Sequence, residues 1–257
     1  MSESYLRGAF LFIFIGVCSF SCVDKEVDNS LTIAAYRQLG VPDPSRQWII
    51  TDYTQAYNVL AKLRWEKQYQ LPVKDSKKSG LLFDRMVSLD YLSFLQDSTI
   101  QLNEKARRIS EFGVVYDYWI DLYTTPTVQK DYYNREILAV RILDLELTEA
   151  SFNLANKINE SDDPADVALQ YGYPNIKHAY LECLNNYLQP RINSTEFAEN
   201  DMEEMVDSIH HSVMRNKHWL DSAAVGGLKK SLRSVKDSTT STRILNKYKH
   251  LENQLPS

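Results

Sequence analysis

Glycine and proline are scarce in this chain, eight of each among 257 residues, so few positions oblige a helix to stop. Long stretches with apolar residues three and four apart fill the space between them, which favours an all-α fold. Chemical motifs are also missing. The chain has no glycine-rich phosphate loop, no Gly-x-Ser-x-Gly elbow, no Cys-x-x-Cys pair, no His-Glu-x-x-His and no calcium loop. Phosphoryl transfer, acyl transfer and zinc proteolysis are therefore unsupported, although a site can still be assembled from residues distant in sequence. No cofactor is implied. Twenty-nine basic residues against 34 acidic ones leave a net charge of −5, so no positive field marks nucleic acid as a partner.

One apolar run stands out near the start, where Arg7 precedes Phe10 to Val17 and the segment closes on Ser19-Phe20-Ser21-Cys22. Its roughly 11 apolar residues fall short of the ~20 that cross a bilayer, and the plan is that of an export signal. Ser19-Phe20-Ser21-Cys22 resembles the loose lipobox of bacterial lipoproteins, those of the Bacteroidetes above all, in which the cysteine is lipidated and becomes residue 1. The acidic followers Asp24, Glu26 and Asp28 around Lys25 resemble the sequences that route such proteins to the outer-membrane surface. Ser19 departs from the usual Leu. Cys18 competes, with Ile15 in the Leu position, but Val17 is bulky for the residue before the cut. An uncleaved anchor over Gly8 to Val23 and plain secretion are the alternatives.

The resemblance implies a signal peptide over residues 1–21, lipid attachment at Cys22, a tether over 22–30 and a helical domain over 31–257. It places the protein in the bacterial envelope, lipid-anchored in the outer membrane and either periplasmic or surface-exposed. More than one acyl chain gives stable anchoring without a membrane span. Of the three cysteines, only Cys183 then remains in the domain, and no internal disulfide is possible. Its apolar helical setting marks it as a buried small hydrophobe, so packing must hold the fold together.

The spacing predicts a single bundle of about seven or eight helices, antiparallel where loops are short. A first helix spans Leu31 to Leu39. A second begins on a capping box, Asp52-x-x-Gln55, buries Tyr53, Ala56, Tyr57, Leu60 and Leu63, and ends near Tyr69. A largely buried third runs from Leu82 to Phe94, and a fourth carries Leu102, Ala106, Ile109, Gly113, Tyr116, Ile120 and Tyr123. Thr125-Pro126 opens the central helix, which has two apolar stripes: Val140, Leu143, Leu147, Ala150, Leu154 and Ile158, and Leu138, Ile142, Leu145 and Phe152. Leu143 to Thr148 alternates as a strand would, but sits within helical spacing. Asp163-Pro164 starts another helix, Gln170 to Pro174 is an irregular turn, and Ile176 to Leu188 and Thr195 to Leu220 are helical. Gly226-Gly227 is expected to break the chain before Leu228 to Val235 and Thr242 to Leu251.

Two sets of residues are candidates for chemistry. Tyr116, Trp119, Tyr171 and Tyr173 put rings beside polar groups, as ligand-binding surfaces do, and the Tyr171-Gly-Tyr173 turn is the pair expected to be exposed. Asp207, His211 and His218 share a helix face, beside His210, at spacings able to start a metal site, yet a site needs three or four ligands. The simpler account is a polar helix face, with aromatics in the core. The acidic block Glu196 to Asp207 and the basic block Lys229 to Lys249 are expected to be two solvated faces near each other. The function this supports is an outer-membrane or cell-surface lipoprotein with a helical, non-enzymatic domain that binds a partner protein or serves as an accessory subunit of an envelope assembly. Glycan or small-ligand binding through the tyrosines, and a metal-dependent hydrolase at His210 and His211, are the alternatives.

Overall fold

A computed structural model describes residues 28–66, 70–125, 130–188 and 197–255. Among the described residues there is no strand, and ten α-helices follow one another: α1 (Ile33–Gln38), α2 (Ile50–Glu66), α3 (Gly80–Met86), α4 (Leu102–Thr124), α5 (Asn134–Asn159), α6 (Pro164–Gln170), α7 (Tyr173–Leu188), α8 (Glu199–Asn216), α9 (Ser222–Ser238) and α10 (Thr242–Gln254). Three short 3-10 helices, Asp90–Gln96, Lys130–Tyr133 and Lys217–Trp219, join them. The all-α class is as the spacing predicts. The count exceeds seven or eight because short helices split off at loops. None of the described helices is long and apolar enough to cross a membrane. The signal segment with Cys18 and Cys22, the end of α2 at Tyr69 and the start at Pro126 lie outside the described residues.

Side-chain caps set several starts. Thr32, Asp163, Asp221 and Ser241 accept hydrogen bonds from the N–H groups of Ala35, Ala165, Ala224 and Ile244, each satisfying a donor that the first turn leaves open. The box predicted at Asp52 is shifted. Asp52 lies inside the first turn of α2, where its carboxylate accepts from the Ile49 N–H at 2.9 Å and from Arg46, while Gln55 donates to the Gly40 carbonyl. The predicted Leu82 to Phe94 helix also divides. Trp119 Nε1 takes the Met86 carbonyl at 2.8 Å and the Tyr53 hydroxyl takes that of Ser88, so side chains replace the helical partners there.

Helix α5 has both stripes buried. Val140, Leu143, Leu147, Leu154 and Ile158 join a cluster built with α1 to α4, and Leu138, Leu145 and Phe152 join a second built with α7 to α10. Leu143 to Thr148 is helical. In α4 the buried face is rotated from the predicted one: Phe112, Val115, Trp119 and Leu122 point inward with Ile109 and Tyr123, whereas Gly113 faces open space. The apolar arc of this helix is wide, and packing selects the side with the larger rings.

Contacts fix the directions. Tyr116 lies by Asp144 and Tyr123 by Tyr133, so α4 and α5 are antiparallel. Tyr187 to Asp144 and Phe152 to Tyr180 make α7 antiparallel to α5. Arg243 to Glu203 and Lys247 to Asp207 make α8 and α10 parallel, because α9 returns the chain between them. Arg243 and Lys247 of the basic block thus face the acidic block across this pair, whereas Arg233 and Lys236 of α9 meet Glu252 of α10.

Gly226 and Gly227 do not interrupt α9. Asp221 caps the helix, and Ala224, Val225, Leu228, Leu232 and Val235 bury its inner face, which outweighs two glycine penalties. A Cβ at either glycine meets nothing within 4 Å. Gly226→Ala with Gly227→Ala is therefore expected to stabilise the fold by about 1 kcal/mol or more in total, read as a higher midpoint in urea. A lower midpoint overturns the assignment of an uninterrupted α9.

Candidate functional site

Of the four predicted aromatic ligand contacts, the structure brings none into one groove. Trp119 is fully buried, and its indole N–H is spent on the Met86 carbonyl. Tyr116 is half-buried and hydrogen-bonded to Tyr187 beside Asp144. Tyr173 opens α7, donates to Asn156 Oδ1 at 2.8 Å and stacks on Phe152. Only Tyr171 stands in solvent, 83% exposed. The expected exposed pair is thus one ring, because α7 begins a turn early and carries Tyr173 inward.

The polar face of α8 is likewise occupied by neighbours. Asp207 holds Lys247 at 2.6 and 2.7 Å. His211 is exposed, and His218 lies beyond the helix in the Lys217–Trp219 turn, so the face predicted for Asp207, His211 and His218 does not extend that far. His210 turns to α10, where Nε2 meets Gln254 Oε1 at 2.6 Å and the ring lies edge-on to His250. Among the described residues no three His, Cys, Asp or Glu side chains are placed to hold a metal ion.

Sequence reasoning missed two acids of α5, Asp144, which is half-buried, and Glu149, which is buried. Asp144 accepts from the Tyr187 hydroxyl at 2.6 Å and lies 3.6 Å from Cys183 Sγ. Burial pushes its carboxyl above the ordinary value, and hydrogen bonds from Tyr187, Cys183 and Thr148 only partly offset this. Burial, with Asp144 beside it, also raises the Cys183 thiol far above its ordinary value, so it is held protonated and is no nucleophile. Glu149, five residues on, balances differently. Burial raises it, but hydrogen bonds from Arg215, Ser212 and Asn216, together with the Arg215 charge, leave it below its ordinary value. Arg215 grips it through two bonds of 2.7 and 2.6 Å. The signal for Asp144 was the Leu-Asp-Leu-Glu-Leu alternation at 143–147, whose second acid is Glu146; Glu149 lies two positions beyond it, on a helix that buries polar positions because it is packed on two sides.

The outer surface offers a different kind of feature at α6. Asp166 is its buried residue, tied to Ser161 Oγ at 2.7 Å, while Val167 (44%), Leu169 (37%) and Tyr171 (83%) are exposed. Val167 and Tyr171 are four residues apart and extend along one side. The helix is held by its Asp163 cap and by Gln170, whose amide donates to the carbonyls of Ile158 and Ser161. Its apolar side chains are left outside a core that polar groups have closed. No protein family, no characterised protein and no solved structure matches this chain. The chemistry of these residues therefore carries the functional argument.

The two acids predict opposite responses to pH. A raised Asp144 favours the folded state below its ordinary value of 3.8 and loses that contribution as pH rises through the higher folded value. Asp144→Asn is accordingly expected to match the parent near pH 3 and to gain in thermal midpoint as pH rises to neutrality. A midpoint advantage that shrinks with rising pH overturns this. Arg215→Met leaves the Glu149 carboxylate buried with weaker partners. A cost of about 2 kcal/mol is expected at pH 7, below the ~3–5 of a fully buried pair because Arg215 is itself more than half exposed.

Proposed function

We propose that this protein is an outer-membrane or cell-surface lipoprotein, anchored through acyl chains on Cys22, whose helical domain binds a protein partner in the envelope and is not an enzyme. The outward apolar side of α6 carries the partner-binding part of this reading. A short helix that buries an aspartate and exposes Val167 and Tyr171 on one side, with Leu169 exposed on another, inverts the ordinary arrangement. Exposed apolar side chains gathered on one element mark contact surfaces more often than singly scattered ones do. Tyrosine adds a large ring with a polar tip, the kind of group that anchors interfaces.

Support for the anchor comes from the export segment, Arg7 with the apolar run Phe10 to Val17 and Ser19-Phe20-Ser21-Cys22. Asp28 accepts from the Ser30 N–H and hydroxyl and from Ser76, its carbonyl accepts from Lys78 Nζ, and the Asn29 N–H donates to the Tyr132 hydroxyl. The last three residues assigned to the tether are thus tied to the body of the fold. Five residues separate Cys22 from Asp28, six Cα–Cα steps with a reach of at most ~20 Å when fully extended.

Two variants separate the parts of the proposal. Cys22→Ser is expected to move the protein from the membrane to the soluble fraction of lysed cells, and continued membrane attachment overturns the anchor. Val167→Asp with Tyr171→Asp is expected to leave attachment and thermal midpoint unchanged while lowering the yield of a defined crosslinked envelope protein about tenfold. An undiminished yield overturns the assignment of α6 as the contact surface.

A further inference from the structure

Lys105 is a buried cation with no ion-pair partner among the described residues. Two cations are buried among the described residues, Arg64 and Lys105. Arg64 is paired with Asp121 at 3.0 Å. Lys105, 7% exposed, donates one bond of 2.9 Å from Nζ to the Leu95 carbonyl and has no ion-pair partner among the described residues. An ammonium has three donors, so two remain. The acid whose charge registers nearby is Asp97, and its Oδ1 is engaged by the N–H and hydroxyl of Thr99. Burying a charge without a counter-charge is costly.

Lys105 lines a cavity of about 410 Å³ where the Asp90–Gln96 segment, the first turn of α4, the second half of α5 and Trp219 meet. Lys157 of α5 lines it as well, exposed and likewise without a carboxylate partner among the described residues. Gln96 and Asn153 supply amides, and Leu154 and the Trp219 ring supply apolar wall. No Asp or Glu among the described residues lines this cavity. That distinguishes it from the two other cavities described. One, of about 500 Å³, includes Asp28, Asp75 and Glu136 in its lining, and its Lys74 and Arg135 are already paired with Glu204 and with Asp75 and Asp201. The other, of about 350 Å³, has Glu182 and Asp221 in its wall. A volume of this size suits a small molecule.

We infer that this cavity binds a small amphiphilic anion, a carboxylate or phosphate monoester on an apolar tail or ring. The anionic group sits between the ammonium groups of Lys105 and Lys157 with the amides of Gln96 and Asn153 as further donors. The apolar part lies against Leu154 and the Trp219 indole. Charge-assisted hydrogen bonds in a partly enclosed site provide the selection for an anion over a neutral group of the same shape. The site lies wholly within residues 95–219 and does not depend on the lipid anchor or on the surface of α6.

The test uses the full chain carrying Cys18→Ser and Cys22→Ser, so that no acyl chain of its own competes. Octanoate, octyl phosphate and octanol are titrated below their micellar concentrations, and binding is followed by calorimetry and by intrinsic tryptophan fluorescence. The two anions are expected to bind saturably, with octanol about tenfold weaker or more. The tighter of the two tells which head group the site prefers. Lys157→Met, at an exposed position without a partner, is expected to weaken anion binding about three- to fivefold at unchanged thermal midpoint. Ala150→Leu, which fills the cavity, is expected to abolish binding of all three. Octanol binding as tightly as octanoate, anion affinity unmoved by both variants, or no saturable binding overturns the inference.

Discussion

Helix α5 is buried on two sides, and the arrangement of the other helices depends on that. Its stripe of Val140, Leu143, Leu147, Leu154 and Ile158 closes one cluster, and Leu138, Leu145 and Phe152 close the other. A helix with a single apolar side needs neighbours on that side alone; one with two forces the chain before it and the chain after it to opposite flanks. Helices α2 and α4 lie on the first flank, α7 and α8 on the second. Each fully buried leucine or phenylalanine contributes roughly 1.5–3 kcal/mol against the cost of ordering the chain. A domain with Cys183 as its one cysteine and no crosslink needs that burial.

Two-sided burial has a consequence for polar residues, because a 26-residue helix cannot be apolar all round and still carry partners of its own. Three acids of α5 are engaged by different parts of the fold. Glu136 accepts from the Lys74 N–H in the loop before α3, Asp144 from Tyr187 of α7, and Glu149 from Arg215 and Asn216 of α8. They are not equivalent. Glu149 meets a cation and is held ionised, whereas Asp144 meets a hydroxyl and a thiol and is pushed toward its neutral form. Glu149 can therefore set the register of α5 against α8 at neutral pH, while Asp144 remains a cost there. The aromatic residues do related work at the loops. Trp48, Trp119 and Tyr123 bury their rings and give their donors to the carbonyls of Asp43, Met86 and Pro72, fixing irregular backbone that no regular structure satisfies.

What was legible in the sequence follows from this division. Apolar periodicity is a local property of one helix, so both stripes of α5, the buried face of α2 and the Asp163-Pro164 start were readable directly. The interruption after Met86 was not, because it depends on Trp119 and Tyr53 arriving from other elements to take two carbonyls. Gly226-Gly227 misled for the same reason in reverse, since packing on five apolar side chains overrode a local penalty. Trp119 and Tyr173 were plausible ligand contacts only while their burial was unknown. Tyr171 keeps its candidacy because its neighbours on α6 face outward with it. Lys105 and Lys157 lie 52 positions apart and line one cavity through the antiparallel packing of α4 on α5, a juxtaposition no spacing rule contains.

The outer side of α6 and the cavity at Lys105 differ in what the fold leaves unfinished. At α6, the helix is capped and its polar groups are satisfied, so the surplus is apolar area, which water tolerates at modest cost until a partner removes it. At Lys105, the surplus is charge inside a partly enclosed wall, where solvent can compensate only incompletely. Elsewhere in the domain such charge is answered: Arg64 by Asp121, Lys74 by Glu204, Lys247 by Asp207. A fold that pairs these cations, and among its described residues gives no ion-pair partner to the lysine with the least access to solvent, has left room for an anion from outside. The apolar wall of the cavity then favours an anion that brings a hydrophobic body with it.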